Sequence, residues 1–142
     1  MEESYHLGIK GLIRDRKGKI LLLKVNPAKL HGKADYWDLP GGRVQKGDSI
    51  EETFKREIAE EISIDEIQDV KPLAMVMSNI RIPVGDDSVG LILGIYQCKI
   101  LDGSDIRISD EHIAFDWFEP RKAAKLLKVK YPEDFCEVIG SL

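Results

Sequence analysis

Residues 42–64 read Gly42-Arg-Val-Gln-Lys-Gly-Asp48-Ser49-Ile50-Glu51-Glu52-Thr53-Phe54-Lys55-Arg56-Glu57-Ile58-Ala59-Glu60-Glu61-Ile62-Ser63-Ile64, and this stretch decides the fold. Ser49 and Glu52 have the spacing of a capping box, in which each side chain satisfies an orphan backbone N–H of a helix's first turn. Ile50, Phe54, Ile58 and Ile62 recur at four-residue steps and form one apolar stripe, so the spacing predicts a helix over 49–62. At about 100° per residue, Glu57, Glu60 and Glu61 fall within a sector of roughly 100° beside that stripe. Glu57 and Glu61 are a like-charge pair one turn apart, which costs a helix about 0.2–0.5 kcal/mol. Arg56 stands one turn before Glu60 and is its expected partner, while Lys55 lies on another face. The cluster has two readings. It is either a solvated acidic face or a seat for a hard divalent cation, which prefers oxygen ligands.

Immediately upstream, Pro40-Gly41-Gly42 lets the backbone approach a ligand and aim a carbonyl at it, because glycine has no Cβ. The plainer reading is a turn that interrupts any regular element there. Tyr5–Ile13 and Ile20–Val25 are apolar runs separated by Asp15-Arg-Lys-Gly18, which predicts a β-hairpin. Residues 26–36 read as a loop and Trp37–Leu39 as a short apolar piece. Val70–Met77, Val89–Ile100 and Ile113–Phe118 read as strands. Pro120 opens a helix to about Lys128, and Pro132–Val138 reads as a final helical piece. Mixed strands with one strong internal helix and C-terminal helices predict an α+β layered fold.

The full chain of 142 residues suits a single domain, 1–142, with one sizeable core. A net charge of −4 and a pI near 5.4 argue against a nucleic-acid or membrane-surface partner, since both need a cationic footprint. A phosphorylated small molecule remains compatible, because a bound cation supplies the attraction locally. No apolar run approaches the ~20 residues needed to span a bilayer. The start, Met1-Glu-Glu-Ser, is acidic where a secretory signal would be basic and then apolar, so a cytoplasmic protein is expected. Cys98 and Cys136 lack metal-ligand spacing and are expected as packed thiols.

Gly42, five residues, Asp48, seven residues and then Arg56-Glu57-Ile58-Ala59-Glu60-Glu61-Ile62-Ser63-Ile64 resemble the Nudix box over 23 residues. Trp37-Asp-Leu-Pro-Gly-Gly42 and Gly47-Asp-Ser49 beside it are also similar to that family. The resemblance implies the Nudix α/β/α sandwich with a mixed β-sheet. It also implies an enzyme that hydrolyses a pyrophosphate bond in a nucleoside diphosphate linked to another group, with Mg²⁺ or Mn²⁺ as cofactor. By position, Glu57, Glu60 and Glu61 would be metal ligands, with the Gly41 carbonyl a further one, and Arg56 would orient Glu57 or Glu60. A metal-bound water would attack phosphorus in line, so no covalent enzyme intermediate is needed. The general base would come from the box helix, as Glu57 or Glu60, or from Glu111 in Ser109-Asp110-Glu111-His112. His6, His31 and His112 receive no catalytic role. Two positions depart from the family pattern. Asp48 replaces a glutamate, and Ser63 replaces a glycine where the chain tends to turn with positive φ.

Substrate contacts are less legible. Lys24, Gly42 and Asn79 are the candidates, while Leu7, Leu39, Met75, Met77 and Leu91 could wall a base or simply be core. Trp37 and Trp117 read as packing residues. The sequence lacks the Ser-Gln-Pro array of the NADH branch, the coenzyme A motif and the tyrosine of the dinucleoside-polyphosphate branch. Pro83 falls late for an ADP-ribose pyrophosphatase. A MutT-like enzyme taking a (deoxy)nucleoside triphosphate to monophosphate and pyrophosphate is therefore the expected reading. The alternatives are an ADP-ribose or nucleotide-sugar pyrophosphatase and a non-catalytic Nudix-fold nucleotide-binding regulator. The expected partner is a nucleotide, and the resemblance leaves room for a homodimer.

Overall fold

The computed structural model describes residues 1–29 and 35–142. Its elements are β1 (Tyr5–Ile13), β2 (Ile20–Val25), β3 (Trp37–Asp38), β4 (Gly41–Arg43), α1 (Ile50–Ile62), β5 (Gln68–Met77), β6 (Ile82–Val84), β7 (Asp87–Lys99), β8 (His112–Phe118), α2 (Pro120–Leu126) and α3 (Glu133–Gly140). One sheet runs β4-β1-β7-β5, with β6 paired to the start of β7; the other runs β3-β2-β8. The first is mixed, since β1 is parallel to β7 and antiparallel to β4. The second is antiparallel.

The alternation of side chains along β1 and β2 builds both halves of the core. Ile9 and Ile13 on β1 and Leu21 and Leu23 on β2 pack with Phe54, Ile58 and Ile62 of α1. Leu12, Ile20 and Leu22 pack the other way, against Ala123, Phe135 and Ile139 of α2 and α3. Strands buried on both faces read as unbroken apolar runs, and here they lie between helices on either side. The fold is thus the α+β sandwich expected, with a mixed sheet.

Three local expectations change. β1 and β2 share only the bridge Arg14–Ile20 and then part into different sheets. Each is a central strand whose two hydrogen-bonding edges are filled by other strands, so no edge remains for a hairpin between them. Gly41-Gly42 does not interrupt regular structure: it starts β4, with Lys10 opposite Gly41 and Ile9 opposite Gly42. Ile50, first of the apolar stripe, is exposed at the helix start, whereas Phe54, Ile58 and Ile62 are buried. Four-residue steps drift about 40° each around a 3.6-residue helix, so a four-member stripe cannot all face one wall. The loop expected over 26–36 falls partly outside the described residues, and Pro27–Lys29 within it forms a 3-10 turn.

The capping box forms as the sequence requires, with Ser49 and Glu52 each accepting from the other's backbone N–H. At the far end Ser63 adopts the left-handed conformation, φ 61° and ψ 36°, that the family glycine would adopt freely. Its hydroxyl donates to the Arg107 carbonyl at 2.9 Å, a bond glycine could not make. The backbone N–H groups of Arg107 and Ser109 donate to the carbonyls of Ile62 and Glu61, which ties the segment before β8 to the end of α1. Cys98 and Cys136 are free and buried. No helix among the described residues is long and apolar enough to cross a membrane.

Ser63→Ala, which keeps the backbone strain and removes the bond, is expected to lower stability by about 0.5–1.5 kcal/mol in urea melts. Ser63→Gly relieves the strain while losing the bond, and is expected to stay within about 0.5 kcal/mol of the parent.

Candidate active site

A cleft of about 560 Å³ opens where β1, β4, α1 and the start of β8 meet, and Gly41, Gly42, Glu57, Glu61, Glu111 and His112 are among the residues lining it. The α1 carboxylates reach it because β4 has no side chains to hold the helix away. A Cβ built on Gly42 would lie 2.3 Å from the Glu57 carboxyl carbon, so only glycine leaves room for that group. A Cβ on Gly41 would meet the Ile9 carbonyl at 2.0 Å, and Gly41 also has φ +151°.

Glu61 is 3% exposed, and its Oε1 accepts the Gly41 N–H at 2.7 Å. Burial pushes its carboxyl up to about 8, against the opposing pull of Lys10. Its Oε2 lies 3.4 Å from His112 Nδ1. Burial, aided by Lys10, pushes that imidazole down to about 4, so the contact joins two neutral groups at pH 7 and is no ion pair. His112 Nδ1 is buried with no hydrogen-bond partner among the described residues. Burial also raises Glu57, followed by the neighbouring Glu60 charge, with Arg56 opposing.

Arg56 bonds Asp48 and sets its second nitrogen 3.6 Å from Glu57 Oε1, rather than pairing with Glu60 as the helical spacing suggested. Its long side chain turns back toward the helix start, where Asp48 precedes the cap. Glu60 is exposed on α1 outside the lining, near enough to act on Glu57 by its charge. Glu111 enters from the loop before β8, exposed at the cleft edge. Among the described residues, no three acidic, histidine or cysteine side chains stand ready-gathered as a closed ligand set. Lys24 lies outside the lining and pairs with Asp35 at 3.0 Å, its ammonium above the Trp37 ring. Asn79 is also outside, with its amide donating to the Lys128 and Tyr131 carbonyls.

The cleft floor holds a network that motif reading passes over. Asp38, 3% exposed, accepts Lys10 at 3.1 Å, Lys130 at 2.7 Å and the Tyr131 hydroxyl. Lys10 also donates to the Leu39 carbonyl at 3.2 Å. Burial disfavours both ammoniums. For Lys10 the charges of Asp38 and Glu61 outweigh burial and hold it above the ordinary lysine range. Lys130 falls to about 8, because burial, helped by the neighbouring Lys10 charge, outweighs the attraction of Asp38. The available signal was a lone charge inside an apolar run, Lys10 in Gly8-Ile-Lys-Gly-Leu12 and Asp38 between Trp37 and Leu39.

A family model for the NUDIX domain matches residues 4–136. The chain is 34% identical over 93 residues to the nucleoside triphosphatase NudI of Salmonella paratyphi B, covering 62% of this chain and 64% of that protein. The match thus spans less than two thirds of the curated relative. Among solved structures, the MutT protein from Methanosarcina mazei Go1 superposes with a TM-score of 0.73 at 27% identity, over 98% of this chain and 95% of that one. A MutT NUDIX hydrolase from Burkholderia pseudomallei gives 0.63 at 28% identity, over 82% and 84%.

Glu61 holds its proton more tightly folded than unfolded, so its contribution is complete below about pH 4.5 and lost as pH rises through about 8. In EDTA, Glu61→Gln is expected to gain in Tm relative to the parent between pH 5 and 9. A Tm difference independent of pH would show that Glu61 ionises normally.

Proposed function

The chain belongs to the NUDIX domain family, and we propose that it is a divalent-metal-dependent pyrophosphohydrolase acting on a nucleoside triphosphate, releasing the monophosphate and pyrophosphate. The observation that carries this reading is the convergence of Glu57 and Glu61 on the Gly41-Gly42 strand at a cleft that Glu111 also lines, near enough for its charge to act on both. Kinship with proteins named nucleoside triphosphatase and MutT supports the substrate class.

The residues fit a divalent cation. Glu57 lies in a space that a Cβ on residue 42 would fill, and Glu61 is a buried acid held neutral by its surroundings, which a cation would return to the carboxylate. Glu57, Glu60, Glu61 and the Gly41 carbonyl would hold Mg²⁺ or Mn²⁺, with waters completing the shell. When bound, such an ion neutralises diphosphate oxygens and acidifies a water. Arg56, anchored on Asp48, keeps Glu57 turned toward Gly42. Glu111 is the general base, taking a proton from the water whose oxygen bonds to phosphorus as the bridging P–O bond breaks and pyrophosphate departs. An acidic set with one member exposed would suit a hard cation that retains several waters.

The test is hydrolysis of a nucleotide panel that includes ADP-ribose and sugar nucleotides, with products identified by mass. Turnover is expected with Mg²⁺ or Mn²⁺ and none in EDTA. Glu57→Gln and Glu60→Gln are expected to lower kcat on the order of 100-fold, and Glu111→Gln by about 10²–10⁴-fold. Gly42→Ala is expected to resemble Glu57→Gln, with its fold intact by circular dichroism. No turnover of any nucleotide with either metal would sink the hydrolase reading.

A further inference from the structure

Lys130 is 8% exposed and lines the cleft, yet among the described residues its ammonium has a single hydrogen-bond partner, Asp38 at 2.7 Å. An ammonium carries three N–H donors, so two remain unspent in a place where water reaches poorly. The Tyr36 ring lies 5.9 Å from the same nitrogen. The cleft that Lys130 lines also has an apolar side: Leu91 and Leu93 line it and share a core cluster with Tyr131, with Ile82 packed against that cluster. A buried donor without an acceptor is costly, and a ligand oxygen would relieve it.

The backbone that presents Lys130 is held unusually well for a turn between helices. Its carbonyl accepts the Ser78 hydroxyl at 2.9 Å and the Asn79 N–H at 2.8 Å. The Asn79 amide reaches the carbonyls on either side, Lys128 at 3.1 Å and Tyr131 at 2.9 Å. The end of β5 therefore clamps residues 128–131 across the mouth of the core. We propose that Lys130 determines base specificity, selecting nucleobases that carry a keto oxygen where adenine and cytosine carry an amino group, and that Asn79 and Ser78 are its positioning residues. This rests on reading the cleft as a nucleotide site.

The lining of the cleft decides between a keto oxygen and a phosphate as the acceptor. The phosphates belong with the cation at Glu57 and Glu61, whereas Tyr36, Ile82, Leu91 and Leu93 line the same cleft with Lys130 and offer an aromatic and apolar side to a base. A neutral acceptor against an apolar wall fits better. An ammonium and an amino group both donate, so each would be left unsatisfied against the other, which is worth about 10–100-fold in affinity.

The experiment compares bases of equal size. Binding of GMP against AMP and of UMP against CMP is measured by calorimetry on the full chain, beside kcat and KM for the triphosphates. The parent is expected to favour GMP and UMP at least about 10-fold, Lys130→Met to bring both ratios near one, and Lys130→Arg to keep part of the preference. Asn79→Ala is expected to raise KM for GTP and UTP, with kcat and the ATP and CTP constants unchanged. General loosening would instead move all four nucleotides together, and this readout stands even if Lys130→Met fails to fold. Equal binding in the parent, or a Lys130→Met loss shared by every nucleotide and by pyrophosphate, overturns the assignment. Keto preference without hydrolysis would keep this assignment and reject the hydrolase, whereas hydrolysis without preference would do the reverse. Neither binding nor hydrolysis would reject both.

Discussion

The close seating of α1 on the Gly41-Gly42 strand governs this molecule. Glu57 presses its carboxylate against Gly42, and Glu61 accepts the Gly41 N–H at 2.7 Å, so two side chains one turn apart fasten one helix to one short strand. That docking needs β4 to pair with β1, and β1 in turn needs β7 on its other edge, which makes the central sheet a condition for the cleft. The apolar stripe of α1 contributes the bulk of the adhesion through Phe54, Ile58 and Ile62, each at 4% exposure or less. The acids contribute direction. They lie beside the stripe on the helix surface, so burying the stripe brings them to the edge of the core without choosing between packing and chemistry.

Such placement has an electrostatic cost that the cleft floor partly answers. Asp38 gathers Lys10, Lys130 and Tyr131, which joins β1, β3 and the turn between α2 and α3 in one buried network. Buried ion pairs add little net stability, because desolvation offsets their attraction, but removing one partner typically costs about 3–5 kcal/mol. The network's contribution is therefore geometric: alternatives that separate these elements leave a charge unpaired in the interior. It also places Lys10 where its charge opposes the burial penalty on Glu61. The basic floor and the acidic helix are one system.

The sequence made the helix, its cap and its acidic face legible because those depend on spacings within a single element. The Ser49 and Glu52 side chains bond each other's backbone within one turn, and the left-handed turn at Ser63 follows from helix termination. The sandwich was legible through the apolar runs and the family resemblance. Strand partnership was not. Asp15-Arg-Lys-Gly18 forms a turn as expected, with its Asp15 carboxylate accepting the Lys17 and Lys19 N–H groups, but a local turn does not state which edges the flanking strands will use. Asp38 and Lys130 escaped notice for the same reason. They are 92 residues apart, and nothing in either neighbourhood announces the other. Asn79 was legible as a candidate substrate contact, but not as a residue whose amide is taken up by two backbone carbonyls.

The departure at position 48 bears on how Arg56 works. Aspartate is one methylene shorter than the family's glutamate, yet Arg56 still bonds it. Because Asp48 sits just before the helix cap, with its own N–H on the Gln45 carbonyl, a long guanidinium can reach back to it. The reach leaves the other end of the fork loose: Arg56 Nη2 stands 3.6 Å from Glu57 and is buried without a hydrogen bond among the described residues. At that separation the guanidinium attracts Glu57 by charge without occupying its lone pairs. Glu57 is thus oriented from behind while both of its oxygens stay able to accept on the cleft side. A tighter Arg56–Glu57 bond would fix the carboxylate more firmly but use up part of its accepting capacity.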